Sequence, residues 1–405
     1  MTSIIRSVDY LGEYSMSLVT TDALNILIDA QRDLQVTGFE RYNYDPTFGT
    51  DYPTHLYESV KNHYPFNELT DSWLAWGDDG FGVNIAEAIG KWLTFKLLFR
   101  EKPEQLIAIL EKLISENQAD FADVYVCRGV GVASQEDLGN RAYLVPPDFF
   151  KDLAGNQQLF APPSGLNISK ASSALVLPFH MDPVLIKSGM ERPRPSSPSS
   201  LKRARLATVI RQALVLSGSV AIRIPEKFRI SLTPQYPYQP NRVDTFEGEA
   251  AIAIGPNPDL GLARSLIGQL EKFADPRPID IAVERINRAR SAPNDTDAAI
   301  DYGIALEVTL MYGDAAANQE ISNKLGMRAG WLIGADLHHR LDIKTKASRL
   351  YSARSDAAHR GYLRDETQKK FIKSEADRLT VECLLRVLKI GRFPDWTKLQ
   401  FGDVG

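Results

Sequence analysis

From Pro293 to Pro394 the chain carries no proline, although it holds 23 in all. Within that stretch, apolar residues recur at steps of three and four. That spacing places them on one side of a helix and excludes a strand-based fold for this part. Helices are predicted near Asp297–Tyr312, Asn318–Leu337, Ile343–His359 and Thr367–Leu388. The first follows an acidic, cap-like "NDTD", and Gly361 supplies a stop for the third. Four helices with short connections form a bundle.

The preceding sequence is punctuated differently. "VNIAEAIGKWLTFKLLF" and "PEQLIAILEKLISEN" read as amphipathic helices, and "ADVYVCRGVGVAS" as a strand entering a glycine turn. "SSALVLPF", "GSVAIRI", "EKFRISLTP" and "GEAAIAIG" read as short strands between Pro and Gly breaks. Residues 1–81 give no clear pattern. "MERPRPSSPSSLKRAR", residues 190–205, reads as a mobile, solvated loop. The expected class is α+β: a mixed α/β region over residues 1–275, with two subdomains conceivable, then an all-α domain over 276–405.

Composition narrows the function classes. A net charge of -4 excludes a surface that coats nucleic acid all over, so any anion site is a local patch. Two cysteines far apart, Cys127 and Cys383, exclude a disulfide framework or zinc cluster and fit a reducing compartment. "MTSIIRSVDYLGEY" has no long apolar core, and no apolar run reaches bilayer length, so a cytoplasmic protein with no membrane contact is expected.

"LYSARSDAAHRGY", Leu350 to Tyr362, carries the chemistry. Arg354 and His359 are five residues apart, about 140° around a helix. Ser355 and Asp356 precede the imidazole by four and three residues, close enough to hold a ring nitrogen. Cleaving RNA without metal needs a base for the 2′-hydroxyl, an acid for the 5′-oxygen and a cation on the phosphate. A guanidinium matches phosphate oxygens well. One His and one Arg per chain is too few, so the chemistry implies a homodimer that pools two of each. From His338 to Asp365, Arg340, Lys344, Lys346, Arg349, Arg354, Arg360 and Arg364 face only three aspartates. That local positive excess suits RNA.

Other features read more plainly. Asp244, Glu247 and Glu249 near a strand offer carboxylates for a divalent ion, but solvent-facing acids are the simpler reading, and no metal or cofactor is expected. The glycines of "CRGVGVASQEDLG" lack phosphate-loop spacing and read as a turn. His338 and His339 read as one surface and one packing residue. The aromatics of "RYNYDPTFGTDYP" and "PQYPYQP" read as packing before base stacking.

The segment Asp297–Leu388 resembles the HEPN family, in its Apea-like branch. The resemblance rests on "ALEVTL", "NQEISNKLGMRAGWLIG", "HHRLDI" and "ASRLYSARSDAAHRG" in that order. It implies a four-helix HEPN-like bundle that dimerises to form a metal-independent endoribonuclease, with Arg354 and His359 catalytic. Ser355, Asp356 and Glu307 would support them. It further implies an RNA substrate such as tRNA, and a role as a toxin or antiphage effector under a phage-derived trigger or an antitoxin. The family's histidine is commonly followed by glycine, and Arg360 stands there instead. The family also includes non-catalytic modules that bind RNA or protein. By analogy, residues 1–275 would sense or regulate.

Overall fold

The computed structural model describes residues 21–37, 48–75, 82–98, 100–150, 172–187, 198–233, 236, 241–245, 256–313 and 320–401. The fold is α+β. Helices α1 (Thr21–Thr37), α2 (Phe48–Val60), α3 (Ile85–Leu98) and α4 (Pro103–Glu116) surround a small antiparallel sheet. Its strands are β1 (Ser72–Ala75), β2 (Gly82–Asn84) and, from later in the chain, β7 (Leu185–Lys187), in the order β2-β1-β7. Leu27, Phe66, Leu93, Leu97 and Leu106 form the core of this part. The apolar periodicity of α3 and α4 matches the sequence expectation; α1 and α2 arise where none was drawn.

The second sheet has six antiparallel strands in the order β4-β5-β6-β3-β8-β9. They are β3 (Ala119–Cys127), β4 (Glu136–Gly139), β5 (Ala142–Val145), β6 (Ser173–Met181), β8 (Glu226–Ser231) and β9 (Asn241–Thr245). Period-two alternation sorts β3: Val124 and Val126 face one apolar layer, Tyr125 and Cys127 the other. "GSVAIRI" is not a strand. Only Arg223 pairs, in a single bridge with Arg128. "GEAAIAIG" lies outside the described residues.

Helix α5 (Pro198–Leu216) corrects the loop expected at 190–205. Residues 190–197 lie outside the described residues, but Pro198 onward is helical. Ala207, Ile210, Ala213 and Leu214 press on the sheet, and that burial organises the Ser- and Arg-rich lead-in. Arg203, read as a solvated cation, is buried against Asp123, its Nε at 3.0 Å from Oδ2. Arg205 pairs with Asp280 at 2.8 Å. Tyr236 of "PQYPYQP" packs edge-on to Phe121 and donates its hydroxyl to Ala75 O, which is the packing role.

Helix α6 (Leu260–Lys272) lies on α5, and α7 (Pro276–Arg290) follows. Then come α8 (Asp295–Met311), α9 (Ile321–Ile333), α10 (Leu337–Arg360), α11 (Glu366–Phe371), a π-helical turn (Ile372–Ala376), α12 (Asp377–Ile390) and α13 (Trp396–Gln400). The bundle contains α7 as well as the four expected helices. Pro276 opens α7, and Ile279, Ala282, Val283 and Ile286 form its buried stripe, a pattern present in the sequence but not drawn as a helix. Two other bounds move. The break at residues 334–336 separates α9 from α10, where Asp336 accepts from His339 N–H and starts α10 six residues earlier than expected. Gly330 allows the close crossing of these two helices: a Cβ there would stand 2.9 Å from Arg340 O. One core joins the sheet face, α5–α7 and the bundle, running through the boundary expected at residue 275.

Among the described residues no helix is long and apolar enough to cross a membrane.

Candidate functional site

Helix α10 presents Arg354 and His359 in opposite circumstances. Arg354 lies inward on α8. Gly303 makes room for it, since a Cβ at that position would sit 2.4 Å from Arg354 Cγ. Its Nε stands 3.3 Å from Glu307 Oε1, and neither atom has a well-aligned hydrogen bond. Burial raises the Glu307 pKa, with Arg354 opposing the shift only in part. The carboxylate therefore holds the guanidinium loosely.

His359 lies in the last turn, exposed, and its ring has no hydrogen-bond partner among the described residues. Gly361 ends the helix in the left-handed conformation with φ 77°, as expected. Asp356, expected to hold the imidazole, does not. It is buried and accepts from Arg364 Nη2 and Gln368 Nε2, each at 2.9 Å, with Arg360 Nε at 3.4 Å. The hydrogen bond from Gln368, followed by that from Arg364, lowers its pKa. Ser355 is half-buried and is not bonded to His359.

The basic stripe divides. At about 100° per residue, Arg340, Lys344 and Arg354 share one side of α10, and Lys346, Arg349 and Arg360 lie on the far side. Arg340 stacks on Trp331 with its guanidinium 3.8 Å from the ring centre. Lys344 runs its stem over Gly326. Lys346 pairs with Asp342 and Glu375 at 2.9 and 3.3 Å, while Arg360 and Arg364 are engaged by Asp356. Arg349 sits over Phe371 at 5.5 Å. Most of the cations expected to meet RNA are thus already stacked or paired, which corrects the view of one continuous electropositive stripe.

A third pattern on α10 is visible only in three dimensions. Leu337, Leu341, Ser348, Ser352, Ser355 and His359 fall within about 60° of one another around the helix. Leu337 and Leu341 are 73% and 55% exposed, an apolar start to a face that is otherwise small and polar.

Elsewhere, a groove of about 480 Å³ between α7 and α8 is lined by Ile281, Val308, Met311 and Tyr312, with Arg277 and Glu307. His338 and His339 are both exposed at the start of α10, so neither is the packing residue expected of the pair; the His339 Nδ1 accepts from Ala335 N–H. Among the described residues no group of three metal-ligating side chains forms. The side chains of Asp244, Glu247 and Glu249 lie outside the described residues. Cys127 and Cys383 are unpaired and buried, and burial pushes both thiols up, Cys127 to about 12, which leaves them inert.

Sequence reasoning missed Gly303 and Gln368. Gly303 stands one turn before Glu307 in "DYGIALE", a small residue on a helix that must pass close to another. Gln368 gave no signal, because its use depends on how the chain turns after Gly361.

Compared with known proteins, the chain matches no family model, no curated protein and no solved structure.

Proposed function

We propose that two copies of this protein pair through the exposed face of α10 and cut RNA without a metal, as a cytoplasmic effector that arrests growth. The single observation that carries this reading is the shared face of His359 with Leu337 and Leu341. Two exposed leucines one turn apart favour a partner that covers them; Ser348 packs on Gly326 of α9, but the small, half-buried Ser352 and Ser355 nearer His359 let a second helix approach closely. With the two copies of α10 parallel and the twofold axis running along them, the leucines at one end meet each other and the two imidazoles meet at the other.

One imidazole takes the proton of a ribose 2′-hydroxyl, whose oxygen attacks the adjacent phosphorus. The 5′-oxygen leaves with a proton from the second imidazole, and a cyclic 2′,3′-phosphate remains. Arg354 supplies positive charge to the phosphate once it swings away from Glu307. The raised Glu307 pKa makes that release easier.

A second reading has its own support. Arg354 points at Glu307 and not toward His359, which suits a non-catalytic bundle that binds RNA or a protein partner.

Purified protein incubated with RNA in EDTA separates the two. The nuclease reading expects wild-type protein to shorten RNA, and Arg354→Ala and His359→Ala to abolish cutting while the fold is kept. Intact RNA with the wild-type dimer, or cutting that persists in both variants, overturns it.

A further inference from the structure

The helix after the His359 turn touches both halves of the molecule. At its start, Gln368 donates to Asp356 Oδ2 at 2.9 Å and accepts from the Arg364 N–H at 2.6 Å. It therefore grips the chain on both sides of Gly361. At the start of α12, Asp377 accepts from Arg290 Nε and Nη2 at 2.7 and 3.1 Å, and from the Tyr302 hydroxyl at 3.1 Å. The Arg290 side chain is only 3% exposed, and its Nη1 donates to Val215 O at 2.5 Å and Val220 O at 3.3 Å. Those carbonyls belong to the end of α5 and the link that follows it, part of the α/β half. Asn287, one turn earlier, clasps Ile222 of the same link through both N–H and C=O, at 2.7 and 2.9 Å.

Between the two grips lies the π turn Ile372–Ala376. A π turn carries one residue more than an α turn, so it has a discrete neighbouring state. Reverting to α geometry, or moving the bulge along the helix, rotates one end against the other by about 100° per residue. Such an element with two registers is what coupling between distant sites requires. Charges facing the turn sit on three elements: Lys346 on α10 and Arg378 on α12 pair with Glu375, and Asp295 on α8 pairs with Lys373.

We propose that the helix from Glu366 to Ile390 is a regulatory rod. It passes the state of the α5 end, read by Arg290 and Asp377, through the register of the π turn to Asp356, whose contacts with Gln368, Arg364 and Arg360 clamp the last turn of α10, the turn that carries His359. Its meaning for activity rests on the function proposed above, but its test does not, because the readout is the imidazole and not RNA cutting.

The experiment follows the His359 imidazole resonance and amide exchange over residues 356–364 in the full chain. Arg290→Lys and Asp377→Asn are compared with Ile89→Val, a mild cavity in the distant N-terminal core. The rod predicts that both link variants shift the imidazole resonance and speed exchange over 356–364 by about tenfold, whereas Ile89→Val does neither. In a Gln368→Leu background, adding Asp377→Asn should change the His359 signals no further. An unchanged His359 turn in the link variants, or simple addition of the Gln368 and Asp377 effects, overturns the proposal. If Asp377→Asn does not fold, Arg290→Lys gives the same reading. Failure of RNA cutting leaves these outcomes intact, so the two ideas fail separately.

Discussion

Asp123 in the sheet and Asp356 in the bundle look alike when only the carboxylate is considered. Both are buried, both have depressed pKa values, and each gathers more than one cation. Their partners differ. Arg203, Lys227 and Arg229 around Asp123 have side chains 10%, 10% and 3% exposed; Arg360 and Arg364 at Asp356 are 50% and 54% exposed. At Asp123, burial pushes the pKa up, and the three cations overcome that effect. The same motif, an acid among cations, is therefore a structural keystone in one half and an adjustable surface clamp in the other. The exposure of the cations decides which.

Three substitutions sharpen or break that contrast. Asp123→Ala strands three cations in the interior and should cost about 3–5 kcal/mol, enough to lose cooperative unfolding in urea. Asp356→Asn should cost less, about 1–3 kcal/mol, because its arginines can turn to water while Gln368 loses its strongest acceptor. Its pH signature is specific. A depressed carboxylate stabilises above the ordinary Asp range near pH 4, and that contribution is lost as pH falls through the lowered value. The Asp356→Asn curve should therefore converge on wild type in acid. Arg360→Ala, which removes a half-exposed partner, should change unfolding by under about 1 kcal/mol. If it matches Asp123→Ala, the distinction drawn from exposure collapses.

Glu307→Gln gives the smallest effect, within about 0.5 kcal/mol. Its sign runs the other way. A raised carboxylate is favourable to folding below its ordinary pKa, and that benefit is lost as pH rises through the raised value. The variant should thus be marginally more stable than wild type at neutral pH and equal to it in acid. A clear loss of stability at pH 7 would show Glu307 to be a firm anchor for Arg354 and not a loose one.

Much of the bundle was legible because its signals are local. Proline-free periodicity marked α8 to α12, and Gly361 marked the end of α10. Other features depend on contacts that periodicity does not encode. The Ser- and Arg-rich start of α5 reads as a solvated loop until Asp123, 80 residues earlier, draws Arg203 inward. Asp356 sits at helix spacing for His359, yet the turn after Gly361 brings Arg364 and Gln368 to it first. The charges from Arg340 to Arg364 form a stripe only in one dimension, since a helix sends them to opposite sides. Arg354 and His359 were legible as residues, but not the inward and outward directions they take.

The central claim is that one cutting site is made by two copies of the chain. Wild-type protein mixed and re-equilibrated with rising fractions of His359→Ala, at constant total concentration, tests it most directly. If both imidazoles serve one phosphate, cutting falls with the square of the wild-type fraction, because mixed dimers are inactive. A fall in simple proportion to that fraction would mean each copy cuts alone, and the shared site would be wrong.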